Sequence, residues 1–189
     1  YFIPGLLNMH HIPYTGCPVE AAFVTGSKVL ARNIMKANGI PVAGGWKVSE
    51  AAQLTTGRKY ILKPVWEDGS LGITEESVFT FTGTIPGILE DKNDHHWFIE
   101  EFIDGREFNV SVVAGPDGPV MLPPAEMVFH DYPDDIPRIV SYKAKWMEET
   151  FQYENSRRNF PSDLSEKLLK NLKDAVIGCW NIFGLKGYA

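Results

Sequence analysis

Two segments of this chain carry residue types suited to holding an anion and a base. The first, Ile61-Leu-Lys-Pro-Val-Trp-Glu-Asp-Gly-Ser-Leu-Gly-Ile73, ends an apolar strand on Lys63 and runs into a glycine-containing loop. A lysine at such a point is costly to hold unless something acidic or anionic meets it, so it reads either as a structural salt bridge or as an anion ligand. The loop Glu67-Asp-Gly-Ser-Leu-Gly72 bears on that choice. Gly69 and Gly72 let backbone N–H groups approach phosphate oxygens, and Ser70 adds a hydroxyl donor. The segment lacks the G-x-x-x-x-G-K-[ST] pattern and is no P-loop. The second segment, Trp97-Phe-Ile-Glu-Glu-Phe-Ile-Asp-Gly-Arg-Glu-Phe-Asn-Val110, sets Glu100 and Glu101 in a strand between Phe98, Ile99, Phe102 and Ile103. Alternation sends one glutamate to each face, so one carboxylate heads for a buried side or a cleft and needs a donor. The exocyclic amine of adenine is such a donor, and Glu107, after the turn at Asp104-Gly105-Arg106, could take sugar hydroxyls. The plainer alternative is a half-exposed acidic edge strand.

Other charged groups are weaker signals. Lys28 falls in the first turn of a helix, where the partial positive charge disfavours a cation unless lysine and helix end converge on one anion. In Ser141-Tyr-Lys-Ala-Lys-Trp146, Lys143 and Lys145 alternate to one side of an extended segment, either reaching a phosphate or standing in solvent. His10-His11 and His95-His96 are adjacent pairs without a carboxylate at ligand spacing, so no metal ligand is assigned.

The elements that position these groups read as a mixture. Residues 1–25, rich in Gly, Pro, Thr and His, predict a loop feeding a helix capped by Ser27, which runs to about Ala37 and ends at Gly39-Ile-Pro41. Strands are expected at Trp46–Val48, Tyr60–Lys63, Trp97–Ile103, Phe108–Ala114, Val120–Leu122 and Glu126–Phe129, with a hairpin turn at Gly115-Pro-Asp-Gly118. Residues 131–158 predict a long loop. The last helix opens on the capping-box pattern Asp163-Leu-Ser-Glu166, lines up Leu164, Leu168, Leu172, Ala175, Cys179 and Phe183, and stops at Gly184. Single helices among hairpin strands predict α+β layers and not a doubly wound sheet.

Composition narrows the classes. The 189 residues have room for one ordinary or two small domains, and 44% hydrophobic residues support a core. Lys and Arg number 18 against 24 Asp and Glu, giving a net charge of −6 with scattered basic residues, which argues against nucleic acid as partner. No apolar run approaches the ~20 residues of a membrane span. Cys17 and Cys179 read as free thiols, and a cytoplasmic location is expected. The start at Tyr1 without an initiator methionine, and an ending at Leu185-Lys-Gly-Tyr-Ala189 that reads like entry into a further strand, predict a piece of a longer protein.

Taken in order, Pro13-Tyr-Thr-Gly16, Ser27-Lys28, Gly39-Ile-Pro-Val42, Lys63-Pro64, Glu67 to Gly72, Ile99 to Phe108, Ala144-Lys145 and the final helix resemble an ATP-grasp ligase of the D-alanine–D-alanine ligase type. The resemblance covers nearly the whole chain. It implies two α+β lobes with antiparallel sheets: a connecting segment over 1–26, a central lobe over 27–106, and the first part of a C-terminal lobe over 107–189. It implies that ATP phosphorylates a carboxylate of an amino acid or peptide and that an amine then attacks the acylphosphate. Lys28, Lys63 and Lys145 would contact phosphates, with the loop of Gly69, Ser70 and Gly72 over them. Glu100 would meet the adenine amine, the main chain of Glu101 and Ile103 the ring edge, and Glu107 the ribose. Ser70 and Lys145 would be the catalytic groups. A homodimer is compatible with this reading. Two departures stand out: such ligases usually have tyrosine where Trp146 follows Lys145, and a first serine where Gly69 stands, which leaves the amino-acid specificity open. By the same resemblance the Mg²⁺ ligands fall beyond Ala189, so the chain alone would lack a metal site and activity.

Overall fold

The computed structural model describes residues 1–189, and the chain divides into two compact units. One comprises 43–107 with 127–158; the other comprises 1–42, 108–126 and 159–189. Both are discontinuous in sequence.

The 43–107 and 127–158 unit is built on a four-stranded antiparallel sheet in the order β1-β4-β2-β3: β1 Gly45–Lys47, β2 Lys59–Pro64, β3 Val78–Thr80 and β4 Trp97–Glu101. The register sets Ile61 opposite Glu100, Leu62 opposite Ile99 and Lys63 opposite Phe98. Because side chains alternate, Tyr60, Leu62 and Ile99 share one face, while Ile61, Lys63, Phe98 and Glu100 share the other. The first face is the core. Tyr60, Leu62 and Ile99 are almost completely buried with Ala51, Leu54, Phe81 and Leu89, and Trp46 packs edge-on to Tyr60 at 5.4 Å between centroids. The Tyr60 hydroxyl is satisfied there by accepting from Thr55 N at 2.9 Å. Lys63 and Glu100 belong to the opposite face.

The other unit carries three helices, α1 Phe2–Met9, α2 Val19–Gly26 and α3 Lys28–Ala37, and a hairpin of β6 Val112–Gly115 with β7 Gly118–Met121, packed with the long helix α6 Glu166–Ile182. Ser27 caps α3, accepting from Leu30 N at 3.3 Å. The final residues pair with β6: Val112 N donates to Ala189 O at 2.8 Å and Ala189 N to Val112 O at 2.9 Å. The remaining strands, β5 Glu107–Asn109, β8 Ala125–Phe129 and β9 Ser156–Asn159, form a three-stranded sheet in the order β5-β8-β9. No helix is long and apolar enough to cross a membrane.

Five expectations are corrected. Residues 1–25 are not a loop but contain α1 and α2: Pro4 is tolerated in a first turn, where its missing N–H has no intrahelical acceptor, and Pro18 stands just outside α2. Residues 131–158 hold α4 Tyr142–Trp146, α5 Phe151–Asn155 and β9, each helix capped by a hydroxyl, Ser141 or Thr150. The strand expected through Ile103 stops at Glu101, and the one expected over 108–114 is interrupted between β5 and β6. The α6 cap is Ser165, which accepts from Leu168 N at 3.3 Å; it outcompetes Asp163 two residues earlier.

Candidate functional site

Lys63 and Glu100, on the non-core face of adjacent strands, form an ion pair of 2.6 Å with both side chains partly buried. The salt-bridge reading of Lys63 is therefore realised, and any anion reaching Lys63 would share it with Glu100. Glu101, one residue on, points to the other face and pairs with Arg58 at 2.9 Å near the sheet end. Its amide donates to Gly44 O at 2.8 Å, so a main-chain contact from Glu101 to a ring edge would use the carbonyl. Ile103 lies beyond the strand and is 65% exposed.

Glu107, at the start of β5, completes a charged group. Burial pushes its carboxyl above the ordinary 4.5, while Lys63 and then Lys145 pull it back down. Two ammonium groups therefore bear on one half-buried carboxylate. Lys145 arrives there from α4, where the sequence suggested an extended segment. In a helix, Lys143 and Lys145 are separated by about 200° and cannot share a side. Lys143 instead lies 3.4 Å from Glu75, leaving Lys145 as the lysine of α4 that acts on Glu107.

The glycine loop is folded onto the segment leading into α4. Gly69, Ser70 and Gly72 all have positive φ, +64°, +65° and +79°, a region that costs a non-glycine residue about 1–2 kcal/mol. Ser70 tolerates it while donating its hydroxyl to Val140 O at 2.7 Å. That hydroxyl is the donor the sequence assigned to a phosphate; here it is engaged, and the loop offers its backbone instead. The Trp146 indole N–H donates to Gly69 O at 2.7 Å. A Cβ built on Gly69 would lie 3.5 Å from the Trp146 ring, so the two residues that depart from the D-alanine ligase pattern touch each other.

Lys28 is the first residue of α3 in the other unit. No group of three or more His, Cys, Asp or Glu side chains is arranged to hold a metal ion, His10, His11, His95 and His96 included. The residues present do not fit a magnesium site. Glu75 and Arg58 were missed by sequence reasoning. Glu75 carried no pattern beyond an acidic pair after the loop, and Arg58 is recognisable only from the register that brings it to Glu101.

The sequence model described as D-ala D-ala ligase C-terminus matches residues 34–189. This chain belongs to that family. Over 194 residues it is 28% identical to the D-alanine–D-alanine ligase of Acinetobacter baumannii strain ATCC 17978, covering 98% of this chain and 58% of that protein. The chain thus spans just over half the length of such relatives. The crystal structure of D-alanine–D-alanine ligase from Bacillus anthracis superposes with a TM-score of 0.72 at 18% identity, covering 99% of this chain and 58% of that one. The same organism's ligase complexed with ATP gives 0.68 at 15% identity, covering 98% and 56%. At these identities the structural likeness establishes the fold, an α+β ATP-grasp arrangement with antiparallel sheets. The sheet face bearing Lys63 and Glu100 is the candidate functional face of this chain.

Proposed function

We propose that these residues form the nucleotide clamp of an ATP-dependent carboxylate–amine ligase acting on an amino acid or short peptide. The observation that carries this reading is the 2.6 Å ion pair of Lys63 with Glu100 in the unit that also holds the glycine loop, with the charges of Lys63 and Lys145 acting on the carboxyl of Glu107. Two cations and two carboxylates in one unit suit a ligand that is anionic at one end and rich in hydroxyl and amine donors at the other.

In this reading Lys63 and Lys145 take phosphate oxygens. Glu107 accepts from ribose hydroxyls, Glu100 accepts from the adenine amine, and Glu101 and Ile103 border the ring. The backbone of Gly69, Ser70 and Gly72 covers the phosphates, where dipoles and cations stabilise charge moved in phosphoryl transfer. In the whole protein, a substrate carboxylate oxygen would attack the γ-phosphorus and ADP would leave. An amine would then attack the acyl carbon, forming the amide and releasing phosphate. Magnesium would neutralise phosphate charge, and no carboxylate cluster among these residues would hold it. Amino-acid identity, homodimer formation and a cytoplasmic setting belong to this proposal, the last supported by two unpaired cysteines.

Calorimetric titration of ATP into the chain tests the clamp. Saturable binding that Lys63→Ala weakens supports it, whereas equal weak heats from both proteins would refute it.

A further inference from the structure

Glu75 sits just after the glycine loop, and its two oxygens have different partners. Oε1 accepts from the Ser141 hydroxyl at 2.7 Å. Oε2 is buried, takes no hydrogen bond, and faces the Lys143 ammonium at 3.4 Å. Ser141 is fully buried and is also the cap of α4, accepting from Ala144 N at 3.3 Å. Two residues before Glu75, Ile73 O accepts from Tyr142 N at 2.9 Å, so the same short stretch grips α4 by its backbone and by two side chains. The phenol of Tyr132 also feels Glu75: burial, chiefly, and then this carboxylate raise its pKa, against a hydrogen bond to Ser156.

A helix of five residues has little stability of its own, so its rotation is set by what holds it. Both handles, the cap and Lys143, end on Glu75. Fixing Lys143 on one side fixes Lys145 about 200° away on the other.

We propose that Glu75 is a positioning residue for Lys145, holding α4 so that Lys145 is presented to Glu107 and to a polyphosphate bound there. The polyphosphate half rests on the nucleotide reading above; the presentation to Glu107 does not.

The test uses the 189-residue chain with Glu75→Ala, Glu75→Gln and Lys145→Ala, each checked for native secondary structure by circular dichroism. In Glu75→Ala the amides of Ala144, Lys145 and Met147 should exchange about tenfold faster or more, the loss expected for a charged hydrogen bond and an ion pair. Glu75→Gln, which can still accept from Ser141, should fall between. The Glu107 carboxyl, followed by NMR, should titrate higher in Glu75→Ala, in the direction that Lys145→Ala moves it. ATP affinity should drop in Glu75→Ala, with Lys145→Ala adding less on that background than on wild type, while adenosine affinity stays level. Unchanged exchange across 144–147, or an unmoved Glu107 titration, would overturn the positioning role. Fully multiplicative losses of ATP affinity would overturn its polyphosphate half. A wild-type chain that binds no ATP, with exchange and Glu107 responding as expected, would end the nucleotide reading and that half alone, leaving the presentation of Lys145 to Glu107 upheld.

Discussion

Glu107 is held between opposing influences, and the sign of its pH effect follows from them. Its folded pKa is raised above 4.5, chiefly by burial, against the pull of Lys63 and Lys145. A carboxyl raised in this way favours the fold when protonated: that share is complete below the unfolded value and is lost as pH rises through the folded one. Glu107→Gln, neutral at all pH, is expected to be more stable than wild type at neutral pH, with the advantage gone below about pH 4.5; urea midpoints at several pH values would check this. Trp146→Phe keeps a ring against Gly69 but removes the indole N–H, at a cost of about 1 kcal/mol. The amides of Leu71 and Ile73, which close the loop's turns onto Asp68 and Ser70, should then exchange about fivefold faster. Lys63 and Glu100 were legible in the sequence because a charge inside an apolar strand demands a partner. Their mutual pairing was not, since it depends on the register of β2 against β4.

Elements with strong internal periodicity could be read directly. β2, β4, α3 and α6 stand close to where alternation, caps and stop signals put them. The misses have a common cause: α1, α2, α4 and α5 are each eight residues or fewer, too short for periodicity to outweigh nearby Pro, Gly or charge. For α4 the consequence was chemical, because reading it as extended put Lys143 and Lys145 on one side when they have separate jobs. The core face of the sheet gives a stability prediction. Ile99 is fully buried, and Ile99→Ala should cost about 2–5 kcal/mol in chemical denaturation. Gly72→Ala should cost about 1–2 kcal/mol, since its φ is +79° and its Cβ would come 3.2 Å from the Trp97 ring. Those two substitutions separate loss of core from strain in the loop.

At the scale of the molecule, the fold and family are firm, while chemistry is concentrated in one of the two units. Residues 43–107 with 127–158 contain the paired sheet face, the glycine loop and α4, so the proposed nucleotide clamp lies within that unit. The chain covers 58% of its curated relative's length, and the ligation itself is a proposal about the longer protein. The clamp can be tested in this chain alone, with calorimetric titrations of ATP and adenosine into wild type and the Lys63→Ala/Lys145→Ala double variant. Saturable ATP binding, weakened about tenfold or more in the double variant with adenosine binding retained, is the predicted result. ATP binding of equal strength in both proteins, or none in wild type, would contradict it.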